Sequence, residues 1–272
     1  METGKESNSH LSLTYVSGFM NQLFDSEATA GYTLFLLVAP GTLIALIKDN
    51  QNRILAGEHH QLSLDNEQQL KKAFSHSEAL NHLFGKTIVH VCLPDLAITP
   101  IVWLESNEDE NMLTHVAGDQ LNHTVLTTVD SKNKWIFGVP NSLYKLIIST
   151  YKNVQWAPTL VSKANLVKED LVVIVFENQL LLFDTKSDNQ LSSWTTYDQP
   201  QSVLFALLSY CEINEIQPTG LTIHLIAEHY LEIRESIQAY FKQVSYLTDS
   251  SSDELSESYL FNFLNSLNNA SN

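Results

Sequence analysis

The sequence predicts an α/β protein of two lobes built on one repeated plan, with mixed sheets and an insertion in the first lobe. Three observations carry this. Short, continuous apolar runs alternate with helix-length amphipathic segments. The order strand, strand, strand, helix, strand, helix, strand is read twice, from Leu34 and again from Leu171. The first pass is longer: Leu34 to Trp156 spans 122 steps and Leu171 to Tyr246 spans 75. The excess of 47 is close to the length of an irregular stretch from Pro94 to Val139.

The elements follow in order. Residues 1–31 are mixed, and Val16 to Phe24 fits either a short helix or an edge strand. Thr33–Ala39 and Thr42–Ile47 are apolar runs around Pro40-Gly41, a dipeptide that presets a tight turn. Lys48 to Asn52 is a second turn and Arg53 to Gln61 a third strand. Asp65 opens a helix with Gln68 at capping-box spacing, and Gly85 is placed as its stop. Thr87 to Leu93 is a buried strand. In the insertion, Ile98 to Trp103 is extended and Glu105 to Asn111 an acidic loop. His123–Val129 and Lys134–Val139 form a hairpin around Asp130-Ser131. Pro140 begins a helix striped by Leu143, Leu146, Ile147 and Tyr151, and Val154 to Trp156 is a short strand. After a connector at 157–169, strands fall at 171–176, 180–185 and 191–197. Asp198 caps a helix with Pro200 in its first turn, apolar on more than one face through Ile216. Leu221–Ala227, Tyr230–Phe241 and Val244–Leu247 complete the second pass as strand, helix and strand.

Residues echo as well as elements. Asp49-Asn50-Gln51 recurs as Asp188-Asn189-Gln190 in the same turn. Tyr151 to Trp156 matches Phe241 to Tyr246 in character at every position.

Composition narrows the classes of function. Of 272 residues, 44% are hydrophobic and 17% charged, enough apolar matter for a core. Against 31 acidic residues stand 15 basic, a formal charge of -16 that disfavours nucleic acid and anionic membrane surfaces as partners. The amino-terminal residues lack an apolar signal core, and the apolar runs are strand-length, so cytoplasm is the expected compartment. Cys92 and Cys211 sit in apolar runs and read as buried, reduced thiols.

Three strands followed by helix, strand, helix and strand is the ribonuclease-H-like plan. Two such lobes in tandem resemble the actin, heat-shock-70 and sugar-kinase superfamily. Within it the chain resembles the bacterial domain-of-unknown-function family 3822, whose members have an actin-like ATPase fold. The resemblance covers roughly Leu34 to Leu247 as an order of elements, with the run Thr99 to Leu104 as local support. It implies lobes at about 1–165, with the insertion at about 94–139, and 166–272, the latter with a carboxy-terminal helix.

The chemistry such a fold carries is poorly represented. Actin-like ATPases place an Asp and glycines in the first turn of each lobe, where backbone amides cradle phosphate. Here those turns read Ala39-Pro40-Gly41-Thr42 and Phe176-Glu177-Asn178-Gln179. The place of the adenosine glycine pair holds Ile226-Ala227-Glu228-His229. Neither first strand carries the acid a two-metal nuclease needs. Glu58 with His60, and His90 with Cys92, share strand faces, but two residues do not make a zinc site. Cys92 lies mid-strand among apolar residues and reads as an inert thiol. Leu255, Tyr259, Leu260, Phe263, Leu264 and Leu267 stripe a final helix without basic residues, expected to pack on the second lobe.

The reading is a non-catalytic, cofactor-free, actin-like scaffold that binds another protein. The insertion is the expected contact surface, with Trp103, Glu108, Asp109 and Trp135 as candidate contacts. The alternatives are an ATPase with atypical phosphate loops and a small-ligand site in the inter-lobe cleft.

Overall fold

The structure, a computed structural model, describes residues 16–20, 24–100, 109–117, 122–130, 133–159, 171–176, 179–184, 192–227 and 230–246, and positions 263, 264 and 267. The first half runs β1 (Val16–Met20), β2 (Thr33–Ala39), β3 (Thr42–Lys48), β4 (Ile54–Gln61), α1 (Glu67–His76) and β5 (Lys86–Val91). The insertion follows as β6 (Leu96–Pro100), α2 (Asp109–Ala117), β7 (His123–Val129) and β8 (Asn133–Pro140). Then come α3 (Asn141–Thr150) and β9 (Val154–Pro158). The second half runs β10 (Leu171–Phe176), β11 (Gln179–Asp184), β12 (Ser192–Thr196), α4 (Pro200–Ile213), β13 (Thr222–Ile226), α5 (Tyr230–Ile237) and β14 (Gln243–Tyr246).

Two mixed sheets result, β1-β4-β3-β2-β5-β9 and β12-β11-β10-β13-β14, with a separate three-stranded sheet β6-β8-β7. The repeat holds to the residue. Thr42 lies opposite Gln61 as Gln179 lies opposite Thr196. Leu34 lies opposite Thr87 as Leu171 lies opposite Ile223. Thr87 lies opposite Val154 as Ile223 lies opposite Val244, so the echo of Tyr151–Trp156 in Phe241–Tyr246 is in register. The insertion falls where the second half passes directly from β13 to α5.

Local chemistry explains the turns. Gly41 adopts a φ of 69°, open to glycine at little cost, and closes the β2–β3 hairpin. Asp49 accepts the N–H groups of Gln51 and Arg53 at 2.9 Å each, with Asn52 left-handed at φ 62°.

Each sheet has an outer and an inner face. Leu36, Val38, Ala45, Leu70 and Ile147 pack the outer face of the first sheet beneath α1 and α3. Val173, Leu182, Val203, Leu207 and Ile237 do the same for the second beneath α4 and α5. The inner faces meet: Leu37, Ile44 and Leu46 share one apolar cluster with Val172, Ile174, Leu181 and Phe183.

Several local expectations are corrected. The undecided amino-terminal segment contains an edge strand, β1 on β4. The cap of α1 is Asn66, whose side chain accepts from Gln68 and Gln69, one residue after Asp65. The helix ends at His76, and Gly85 instead lies just before β5, where a Cβ would sit 2.2 Å from the Ala30 carbonyl oxygen. Asp109, Glu110 and Asn111 open α2 rather than belonging to a loop. α4 is capped at Gln199 without a side-chain bond and buries one stripe, leaving Phe205 and Ile213 exposed. Phe263, Leu264 and Leu267 are buried in the cluster between both sheets, not against the second lobe alone. The Glu177-Asn178 and Lys186–Gln190 turns, Trp103, Glu108 and the Glu228-His229 pair lie outside the described residues.

Candidate functional site

The place to look in this architecture is where the β2–β3 turn comes near the start of β11. A cavity of about 570 Å³ opens there, lined by Pro40, Gly41, Asp65, Asp95, His123 and Gln179 among others. Asp65 immediately precedes the α1 cap, Asp95 precedes β6 and His123 opens β7. The insertion therefore supplies part of the wall.

Asp95 and His123 form an ion pair, Oδ2 to Nδ1 at 2.5 Å. Gly138 in β8 makes room for it. A Cβ there would lie 3.1 Å from both Asp95 Cβ and His123 Nδ1, and the Gly138 N–H donates to the Asp95 carbonyl at 2.9 Å. The hydrogen bond to Asp95 raises the imidazole pKa, burial opposes it, and the Asp65 charge adds to the rise. Among the described lining residues there is no lysine or arginine. Sequence reasoning missed this group because its members are scattered and unremarkable singly.

Deeper between the lobes the space is closed by the inner-face cluster described above. Cys92 lies in it, its thiol pushed up to about 12 by burial, so it is protonated and unreactive at neutral pH. Thr159 is buried beside it.

Glu58 and His60 do meet, Oε2 to Nε2 at 2.8 Å, on the outer face of β4. The Ser77 hydroxyl donates to the same carboxylate, and the Ala79 N–H donates to Oε1 at 2.7 Å. The carboxylate stands between hydroxyl and imidazole, the wrong order for activating a nucleophile. This knot ties β4 to the chain after α1. Among the described residues no three His, Cys, Asp or Glu side chains group as a metal site.

Of the insertion candidates, Asp109 and Trp135 are described. Asp109 Oδ1 lies 2.5 Å from the Lys134 ammonium. Trp135 is fully buried in the inter-lobe cluster, its indole N–H donating to Asp130 Oδ2 at 2.6 Å. Its ring anchors the insertion. No described helix is long and apolar enough to cross a membrane.

The fold has known relatives. A Bacteroides thetaiotaomicron protein with actin-like ATPase fold and unknown function superposes with a TM-score of 0.73 at 13% identity, covering 89% of this chain and 98% of that one. A chain of the PilM-PilN type IV pilus biogenesis complex superposes with a TM-score of 0.54 at 6% identity, covering 88% and 97%. These likenesses establish the actin-like fold. No curated protein matches the chain. Residues 21–244 match the family described as Protein of unknown function (DUF3822), and the chain belongs to it.

Proposed function

We propose that the chain works by binding another protein, on an actin-like frame whose nucleotide site is degenerate. One observation carries the reading. The cavity beside the β2–β3 turn offers Asp65 and Asp95, its imidazole, His123, is already held by Asp95, and its described lining residues include no lysine or arginine. Two carboxylates repel a triphosphate, and Pro40 presents no N–H to it. Phosphoryl transfer depends on groups that position and neutralise phosphate, and this lining supplies the opposite charge pattern. A relative on the same frame was solved as the PilM-PilN complex, so the frame can carry a protein partner.

The insertion is the partner surface in this reading. Asp109, with Glu105, Glu108 and Glu110 beside it in sequence, steers a basic partner, while Trp135 holds the subdomain in place. Trp103 is the aromatic contact proposed there.

Melting with and without Mg-ATP tests the nucleotide half. A ligand at 100 times its dissociation constant stabilises by about 2.7 kcal/mol, roughly 5 to 10 °C for a chain of this size. No shift is expected. A Mg-dependent rise of several degrees restores the ATPase reading. A second reading, a small cationic ligand beside Asp65 and Asp95, rests on the cavity itself and is tested by the same melts with polyamines.

A further inference from the structure

The two sheets share registers but differ at one edge. In the first, β4 is covered by β1, which runs antiparallel along Ala56 to His60. In the second, the equivalent strand β12 pairs with β11 and, among the described residues, with no strand on its other side. Ser193, Thr195 and Thr196 are exposed. β12 carries no charge and no proline, two of the devices by which natural edges resist pairing.

A groove runs beside this edge, a cavity of about 740 Å³ between β12 and α4. Phe205 and Ile213 line it while 76% and 80% exposed. They stand two helical turns apart, about 12 Å. That is comparable to the roughly 13 Å between residues i and i+4 on one face of a strand. The rim is acidic: Asp198, Glu212 and Glu215 are exposed, and no lysine or arginine occurs from Ser192 to Ala227.

We infer that β12 and this groove bind an extended segment of another protein. The segment adds a strand to the second sheet, as β1 does to the first. It sets alternate apolar side chains against Phe205 and Ile213 and carries lysine or arginine at its flanks. The inference rests on the protein-binding reading and names the partner's chemistry at a surface separate from the insertion. A second copy of the chain is the poorer occupant, since each copy carries a formal charge of -16 and would bring a second acidic rim to the first.

The probe is a labelled peptide of residues Thr14–Gln22, the stretch containing the strand held by the equivalent edge, with two lysines added at each end. Titrated against the full chain, it should bind saturably and raise amide protection over Ser193–Thr196. The double variant Phe205→Glu/Ile213→Glu changes only exposed side chains, and its melting curve checks that it folds. It should bind at least tenfold more weakly, as should wild-type protein offered the peptide with glutamates in place of the lysines. Equal affinity for wild type and double variant overturns the proposal, as does protection gained at β4 instead of β12. A concentration-dependent dimer in wild type that the double variant loses also overturns it and assigns the edge to self-pairing. A partner recovered equally by wild type and double variant, with no peptide binding, rejects this edge and leaves the protein-binding reading standing.

Discussion

His60 and Glu58 leave the same face of β4 and meet as a buried pair, Nε2 to Oε2 at 2.8 Å. Burial pushes the Glu58 carboxyl up, but hydrogen bonds from His60, Ser77 and Ala79 together hold it below its ordinary value of 4.5. A depressed folded value means the stabilisation is complete above the unfolded pKa and drains away as pH falls through the folded one. Replacing Glu58→Ala strands three buried donors and should cost about 3 kcal/mol, measured by urea unfolding at pH 7. Glu58→Gln should recover part of this and flatten the acid limb of the stability curve.

His59 points to the opposite face, and burial, with the His60 charge adding, brings its pKa from 6.5 down to about 4. The unfolded chain then binds the extra proton between those values, so wild-type stability should fall as pH drops from 6.5 to about 4. His59→Gln should flatten that window, as followed by melting temperature across buffers.

Gly85 admits the Ala30 carbonyl where a side chain would stand, and the clash is with backbone. Gly85→Ala should destabilise by about 1–3 kcal/mol, a shift in the denaturation midpoint without a change in slope. An unchanged midpoint would show that the backbone around Ala30 moves freely.

Gly138 makes room for the Asp95–His123 pair by its lack of a side chain. Gly138→Ala should force the pair apart and lower the His123 pKa toward its ordinary 6.5, read by NMR titration of the imidazole. A pKa that stays raised would show that the two side chains re-form their bond around the methyl.

Trp135 is fully buried at the junction of insertion and inner core. Trp135→Ala should cost about 3–5 kcal/mol, and Trp135→Phe less. If either variant instead loses partner binding at unchanged stability, the ring is a contact and not an anchor.

Much of the frame was legible in the sequence, for physical reasons. Strands such as Leu34–Ala39 and Leu171–Phe176 are buried on both faces and so read as unbroken apolar runs between turn residues. The Tyr151–Trp156 echo could be found because helix end, turn and strand recur in one register. Helix ends were less legible: Asp65 and Asn66 are both good caps, and only backbone geometry chooses Asn66. Counting apolar residues on α4 gave a buried helix, because a count cannot know that nothing described covers Phe205 and Ile213. The Asp95–His123 pair was invisible, since it depends on residues at the starts of two strands meeting beside Gly138 within a third.

The shared inner core has a mechanical consequence. A jaw opens by parting along a seam that water already wets. Here the seam holds Leu37, Ile44, Val172 and Phe183, and the carboxy-terminal Phe263, Leu264 and Leu267 are buried within it. Prising the halves apart would wet all of that surface at roughly 25 cal/mol per Å², a cost of the same kind as unfolding. The molecule is built as a bracket, and its halves should melt together in one transition.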